Sequence, residues 1–290
     1  MAKLPIDSLR KSVLCGTCLT DSSLRIAKNY ANARIQCRHS SRQASWFFWK
    51  WAVCLKDYIK GDTSFVFNNA DGYQAKSIEK EGEILSPFRG GGVNPPTRKG
   101  EIPEAPVPEG TGASGIGKLS VATKALPALT ALHSIFTKNN KDYVSRSWLN
   151  HMNDYFLMVV WLDDGSLSKS RQGYICLDST PKNQQQVFVD YLKTVWEIEA
   201  YVVDTKLKMR NGEQRYRIAI KNQESLLRLL RIVAPIIPVK EMLYKIMFVP
   251  FNNSDLLQRW ASEVSILVLP EFRSYIRDEY QAIIKKKKKL

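Results

Sequence analysis

Histidine is scarce in this chain, with three in 290 residues. Cysteine is nearly as sparse: five residues, an odd number spread over a long sequence, which argues against a disulfide framework. Cys15 and Cys18 form a CxxC, but no second pair follows, and a structural zinc needs four ligands. The cysteines therefore read as small buried hydrophobes. Long apolar runs are also missing. The longest, 156–162, falls far short of the ~18 residues of a membrane span, as does the 264–269 stretch that Ser265 interrupts. No basic amphipathic segment dominates, so a membrane surface is not the expected partner. The N-terminal Met1-Ala-Lys-Leu-Pro5 has no apolar signal core and no Arg/Ser-rich presequence. The expectation is a protein made where it works, or one whose leader lies outside this sequence.

Acidic residues are outnumbered, 28 against 43 Lys and Arg, leaving a formal charge of +15. A charge of that size favours polyanion partners, because each neutralised phosphate releases condensed counterions. With 44% hydrophobic residues a real core forms and wholesale disorder is excluded. The length suggests about two domain-sized units.

Residues 82–117 are dense in Gly and Pro with little apolar periodicity, too long for an ordinary connection inside a compact domain. A repeat shows what this stretch is. Asp21-Ser-Ser-Leu24 and Asp164-Gly-Ser-Leu167 share a pattern, each closing an apolar segment, 13–19 and 156–162. Both continue through basic residues into an apolar strand, 33–37 and 173–177, then a Ser/Thr cap and an aromatic-rich helix, 46–55 and 187–196. A second hairpin precedes each last helix. In the second copy it joins 200–207 to 215–220 across Asn211-Gly212, a strong hairpin signal. In the first it joins 64–69 to 118–123, so the Gly/Pro stretch is an insertion at a hairpin tip. The spacing predicts a first unit over 1–148 with the insertion at about 82–117. A second unit follows over 149–270, then a C-terminal helix and lysine tail over 271–290.

A helix ending in an acid, duplicated in one chain, can bring two carboxylates together if the helices pack side by side. Such a pair beside phosphates would bind divalent metal and support phosphodiester hydrolysis, with lysines shaping the pKa of the attacking water. The alternative is that Asp21 and Asp164 merely terminate helices. An aspartate there is unfavourable for the helix dipole, and two equivalent cases are harder to dismiss.

The segments Leu14-Cys-Gly-Thr-Cys-Leu-Thr-Asp21-Ser and Leu157-Met-Val-Val-Trp-Leu-Asp-Asp164-Gly resemble the two signature helices of a double-motif LAGLIDADG homing endonuclease. Val233-Ala-Pro-Ile-Ile-Pro with Met242-Leu-Tyr-Lys245 resembles that family's closing signature. The resemblance implies an α+β fold of two pseudo-twofold-related αββαββα units, whose antiparallel sheets make a saddle over the DNA major groove. It implies cleavage of both strands of a long asymmetric site with Mg²⁺ or Mn²⁺ by a monomer. Asp21 and Asp164 would be the metal-binding acids, each ending its helix, and Lys141 and Lys245 the basic residues near them. His39 falls where the family often has a polar residue that orders water, though a lone surface histidine reads as well. The first motif departs from the pattern in having Ser22 where a glycine is usual, and Lys141-Asp142 stands where the family often has two lysines, which would displace Lys141 by one position.

Base contacts would come from strand residues. In the first unit these are Arg25, Lys28, Asn32, Arg34, Gln36 and Arg38. In the second they are Lys169, Arg171, Lys206, Lys208, Arg210, Arg215 and Arg217. Alternation such as Arg34-Ile-Gln-Cys-Arg38 puts polar groups on one strand face, and Arg and Gln make bidentate contacts to guanine and adenine. Lys285 to Lys289 form a run of five lysines that would either hold phosphates or remain solvated. The leading reading is a site-specific double-strand DNA endonuclease encoded by an organellar mobile intron, in the mitochondrion or alternatively the plastid. The rival is a non-catalytic RNA-binding derivative, an intron maturase or an rRNA- or mitoribosome-associated protein bound to structured intron RNA or rRNA.

Overall fold

The α+β architecture expected from the repeat is the one that forms. The structure is a computed structural model that describes residues 8–60, 65–68, 118–138, 141–168, 172–177, 179–209, 212–247 and 254–287. The 82–117 insertion lies outside these. Contacts divide the chain into two units, Met1–Asp142 and Tyr143–Leu290.

The first unit opens with α1 (Ser8–Leu19), then β1 (Ser22–Arg25) and β2 (Arg34–Ser40). A helix, α2 (Ala44–Phe48), runs on as a π-helical turn (Trp49–Cys54). β3 (Phe65–Asn68), β4 (Lys118–Ala122), α3 (Pro127–Phe136) and the short β5 (Thr137–Lys138) and β6 (Lys141–Asp142) complete it. The four long strands form an antiparallel sheet in the order β1-β2-β4-β3. Alternation works as the sequence suggests: Leu24, Ile35, Cys37, Leu119 and Val121 are buried on one face. Against that face lies an aromatic cluster from α2 and the π-helical turn, with Trp46, Phe47, Phe48 and Trp51 fully buried. Trp46 stacks on Trp49 at 5.2 Å, and the buried Lys50 ammonium lies 5.1 Å from the Trp46 ring. Thr130 of α3 anchors the strand entry, its hydroxyl oxygen accepting from the Ala33 amide at 2.9 Å.

The second unit repeats the plan. A short α4 (Arg146–Leu149) precedes α5 (Asp154–Asp164), β7 (Gly165–Leu167), β8 (Gly173–Ile175) and α6 (Lys182–Trp196). Then come β9 (Tyr201–Lys208), β10 (Gln214–Ile220), α7 (Gln223–Val233) and a turn of helix, α8 (Tyr244–Met247). The sheet order, β7-β8-β10-β9, is that of the first unit. Caps are written in the sequence: Asn153 accepts from the Phe156 amide at 3.1 Å and Asn222 from the Glu224 amide at 2.8 Å. α5 has no polar stripe, and 156–162 are all buried. Two further helices, α9 (Ser254–Leu267) and α10 (Arg273–Lys287), are pinned to this unit by polar tips of aromatic residues. The Trp260 indole donates to the Ile246 carbonyl at 3.0 Å, and the Tyr280 hydroxyl donates to the Met247 carbonyl. Arg231 on α7 forks onto Glu263 on α9, with one arm at 3.1 Å.

Two backbone positions stand out in this unit. Lys206, inside β9, has φ 59° in the left-handed region, where a side chain is strained. Asp204 stabilises it by accepting from the Lys206 amide at 2.6 Å and from the Gln214 side-chain amide at 2.5 Å. At Gly165 the requirement is space. Its φ is −75°, so the backbone is ordinary. A Cβ there would lie 2.3 Å from the Trp161 carbonyl oxygen and 2.5 Å from the Trp161 ring. In the first unit the same two positions are Cys18 and Ser22, a small residue admitting a larger one.

Gly165→Ala is therefore expected to destabilise the second unit by about 3 kcal/mol. Gly173→Ala, where the nearest atom is the mobile Leu226 Cδ1 at 2.6 Å, should cost only about 1 kcal/mol. Urea unfolding measures both, and equal midpoints for Gly165→Ala and the parent would refute the steric reading. Burial pushes the Cys15 thiol up to about 12 from its ordinary 9.0. A thiol held protonated in this way contributes stability that is intact below about pH 9 and is lost as pH rises towards 12. Iodoacetamide at pH 8.5 should leave Cys15 unmodified in the native chain and modify it in urea.

Candidate active site and nucleic-acid face

The first unit's acid sits just beyond its helix rather than in it. α1 ends at Leu19, and Thr20 and Asp21 make the turn before β1. The helix's last carbonyls are taken up by hydroxyls: Thr20 Oγ1 donates to the Gly16 carbonyl at 3.1 Å and Ser22 Oγ to the Thr17 carbonyl at 2.8 Å. Ser22, at the position that holds Gly165 in the second unit, thus closes the helix in its own way. The turn points Asp21 at β2, where its Oδ2 lies 2.7 Å from His39 Nδ1. The Asp21 side chain is 29% exposed and that of His39 only 4%. His39 is on the buried face of its strand and stacks against Phe47, with ring centroids 6.3 Å apart. Its second nitrogen, Nε2, is buried with no hydrogen-bond partner among the described residues. His39 is not a lone surface histidine. It is a rigid partner of the half-exposed carboxylate, and the period of β2 carries the signal for its inward position.

In the second unit α5 does end on its acid, Asp164. Lys245 is buried beside that end, its ammonium donating to the Asp163 carbonyl at 3.0 Å. The Lys245 carbonyl in turn accepts from the Trp161 indole at 3.1 Å. A cation is thereby held at a helix C-terminus that also carries Asp163 and Asp164, where it offsets both the dipole and the acids. Cys176 donates its amide to the Asp164 carbonyl at 3.0 Å, tying the acid's backbone to the segment after β8. Lys141 is in β6, opposite Lys138, and the described structure does not extend to its side chain.

Strand pairing sorts the remaining candidates. Arg25, Arg34, Gln36 and Arg38 share the face opposite Leu24, Ile35 and Cys37, and Arg25, Gln36 and Arg38 are exposed. Arg25 and Arg34 are direct cross-strand partners, two like charges whose repulsion an anion would relieve. Arg34 also lies over Tyr30 at 5.4 Å. Lys28 is exposed in the loop between the strands. Asn32 differs: its side-chain oxygen accepts from the Thr130 hydroxyl at 3.1 Å, so it fastens the loop to α3. In the second unit Arg215 and Arg217 lie on β10, facing away from Ile218 and Ile220, and Lys206 and Lys208 are exposed on β9. Lys169, Arg171 and Arg210 fall outside the described residues. Sequence reasoning passed over Tyr174 and Asp204. Tyr174 carries the same alternation signal as Arg34, one polar-edged ring between the inward Gly173 and Ile175.

Among known families, residues 103–227 match the LAGLIDADG DNA endonuclease family. No curated protein matches the chain. Among solved structures, one similar chain is the homing endonuclease I-WcaI bound to its DNA recognition sequence. The identity is 15%, with a TM-score of 0.56 over 85% of this chain and 89% of that one. A second is full-length DUF199/WhiA from Thermatoga maritima, 11% identical, with a TM-score of 0.40 over 90% of this chain and 62% of that one. Two units of one strand order, each led by a buried helix followed by an aspartate, thus accompany a segment, residues 103–227, that is similar to the LAGLIDADG DNA endonuclease family.

Proposed function

We propose that the chain is a site-specific, divalent-metal-dependent endonuclease that cuts both strands of a long asymmetric DNA site as a monomer. The observation that carries this reading is the repeated helix–acid–sheet unit: each buried helix hands its aspartate to a sheet whose far face bears cations. Asp21 and Asp164 are the proposed metal-binding acids and Lys141 and Lys245 the proposed basic residues beside them. The donor set fits Mg²⁺ or Mn²⁺. Carboxylate oxygens suit either ion, and the partly exposed Asp21 carboxylate, held by His39 Nδ1 at 2.7 Å, offers one such donor. When bound, such an ion supplies charge neutralisation at the phosphate and a more acidic water. The chain's own residues do the rest. His39 fixes the direction of the Asp21 carboxylate, Lys245 holds positive charge at the Asp164 end of α5, and the sheet cations hold the phosphates in register. The units are proposed to span 1–148 and 149–270, with 271–290 as an added C-terminal element. The proposed site of action is an organelle that hosts mobile introns, the mitochondrion or alternatively the plastid. Mapping the reading frame to an organellar intron tests this.

A randomised duplex library incubated with Mg²⁺, with broken ends captured and sequenced, tests the activity. The wild type should yield double-strand breaks at one long sequence. Asp21→Asn and Asp164→Asn should each lower the rate by about 10²-fold or more while leaving binding intact. Cleavage that persists in both variants would remove the catalytic assignment. Absence of cleavage together with tight, salt-sensitive binding to a structured RNA would support the maturase-like reading instead. His39→Ala should slow cleavage by about tenfold with little change in DNA affinity, in keeping with an orienting role. An unchanged rate would make the Asp21–His39 contact structural only. DNA binding should fall steeply with salt, a slope of about −5 in log K against log [salt] reflecting half a dozen phosphate contacts. A slope near zero would contradict binding through these faces.

A further inference from the structure

One arginine in the second unit is held differently from the other cations. The pairs Ile218–Ile175, Ala219–Tyr174 and Ile220–Gly173 join β10 to β8. Ile175, Ile218 and Ile220 are buried, so the two-residue period places Tyr174 and Arg217 together on the opposite, cation-bearing face. There the Arg217 guanidinium carbon lies 3.8 Å from the centre of the Tyr174 ring. Every other cation–ring distance among the described residues is longer, from 4.6 to 5.9 Å. The platform is itself anchored: the Tyr174 hydroxyl donates to Gln172 Oε1 at 2.6 Å. Arg217 Nε is buried and has no hydrogen-bond partner among the described residues.

We propose that Arg217 reads a guanine in the DNA major groove, and that Tyr174 is the positioning residue that holds it ready. This rests on the DNA-cleaving function proposed above and names one element of its target. A flat guanidinium stacked on a ring keeps its in-plane N–H groups free, because the ring occupies only one face. With Nε enclosed, the two terminal nitrogens are the fork that this side chain has left to offer a ligand. That fork matches the O6 and N7 acceptors of guanine, the only base edge in the major groove offering two adjacent acceptors. Arginine normally loses several rotatable bonds of freedom on contact. Here the stack removes that freedom beforehand, so the contact discriminates bases rather than merely attracting charge. A phosphate-seeking cation would gain nothing from such confinement. Lys206 and Lys208, exposed on β9, are cations of that second type.

The experiment is selection of bound duplexes from a randomised DNA library with the full-length chain, in Ca²⁺ so that nothing is cut, comparing wild type with four variants. Wild type should enrich one position in guanine by about tenfold over the other bases, the size of one bidentate contact. Arg217→Ala and Arg217→Lys should both bring that position below twofold and leave the rest of the selected sequence in place. Tyr174→Phe keeps the ring and should retain most of the preference. Tyr174→Leu removes the platform and should lose most of it, although the arginine is still present. Far-ultraviolet circular dichroism confirms that each variant is folded. Arg217→Lys, which preserves charge and length, keeps the test meaningful if Arg217→Ala is unstable. Undiminished guanine preference in the Arg217 variants overturns the proposal. So does uniform weakening on all sequences with a salt slope shallower by about one, which marks a phosphate contact. A wild type that enriches no sequence at all overturns the nuclease reading itself.

Discussion

The second unit depends on a single wedged ring. Trp161 is buried, its indole fills the space that glycines at 165 and 173 leave open, and its N–H closes on the Lys245 carbonyl. One side chain thereby ties the end of α5 to the first two strands of its sheet and to the segment that delivers Lys245. The acid at the helix end, the strand carrying Tyr174 and the buried lysine all take their positions from it. The proposed phosphate chemistry would need precision of this kind, since small displacements of charged groups have large effects on rate. The first unit solves the same problem with a smaller residue at the equivalent position, Cys18, and a serine hydroxyl that closes the helix.

The two units show how one topology accommodates different chemistry at its functional end. The strand order is shared. What differs is the local support of each acid: a histidine on a strand in one case, a lysine on a helical turn in the other. Both supports are buried, and both come from residues distant in sequence from the acid they serve. Desolvated neighbours act more strongly on a carboxylate than exposed ones, because less water screens them.

Much of this was legible in the sequence. Apolar alternation in 34–38 predicts the strand face, and the hairpins expected between 64–69 and 118–123 and between 200–207 and 215–220 are ones that form. The duplicated pattern around Asp21 and Asp164 predicts the repeat and its strand pairing. What could not be read came from contacts between distant residues. Asn32 looks like a base reader by its position among cations, yet its partner Thr130 lies 98 residues away. The period of β2 signals that His39 points inward, but not that its partner there is Asp21. The ending of α1 two residues before Asp21 follows from hydroxyls at Thr20 and Ser22 that compete for the last carbonyls, a local choice that a motif match to a glycine-containing pattern conceals.

The strained residue in β9 has a bearing on how this protein behaves in a crowded solution. β9 is the edge of its sheet, it is long, and it exposes Tyr201 and Leu207. A straight edge strand of that composition is a template on which a second copy could add a strand and begin to aggregate. The left-handed turn at Lys206 interrupts the row of outward amides and carbonyls, and it does so beside a pair of lysines. The same kink that raises the local backbone energy makes this edge a poorer template for an added strand than a straight one of the same composition would be.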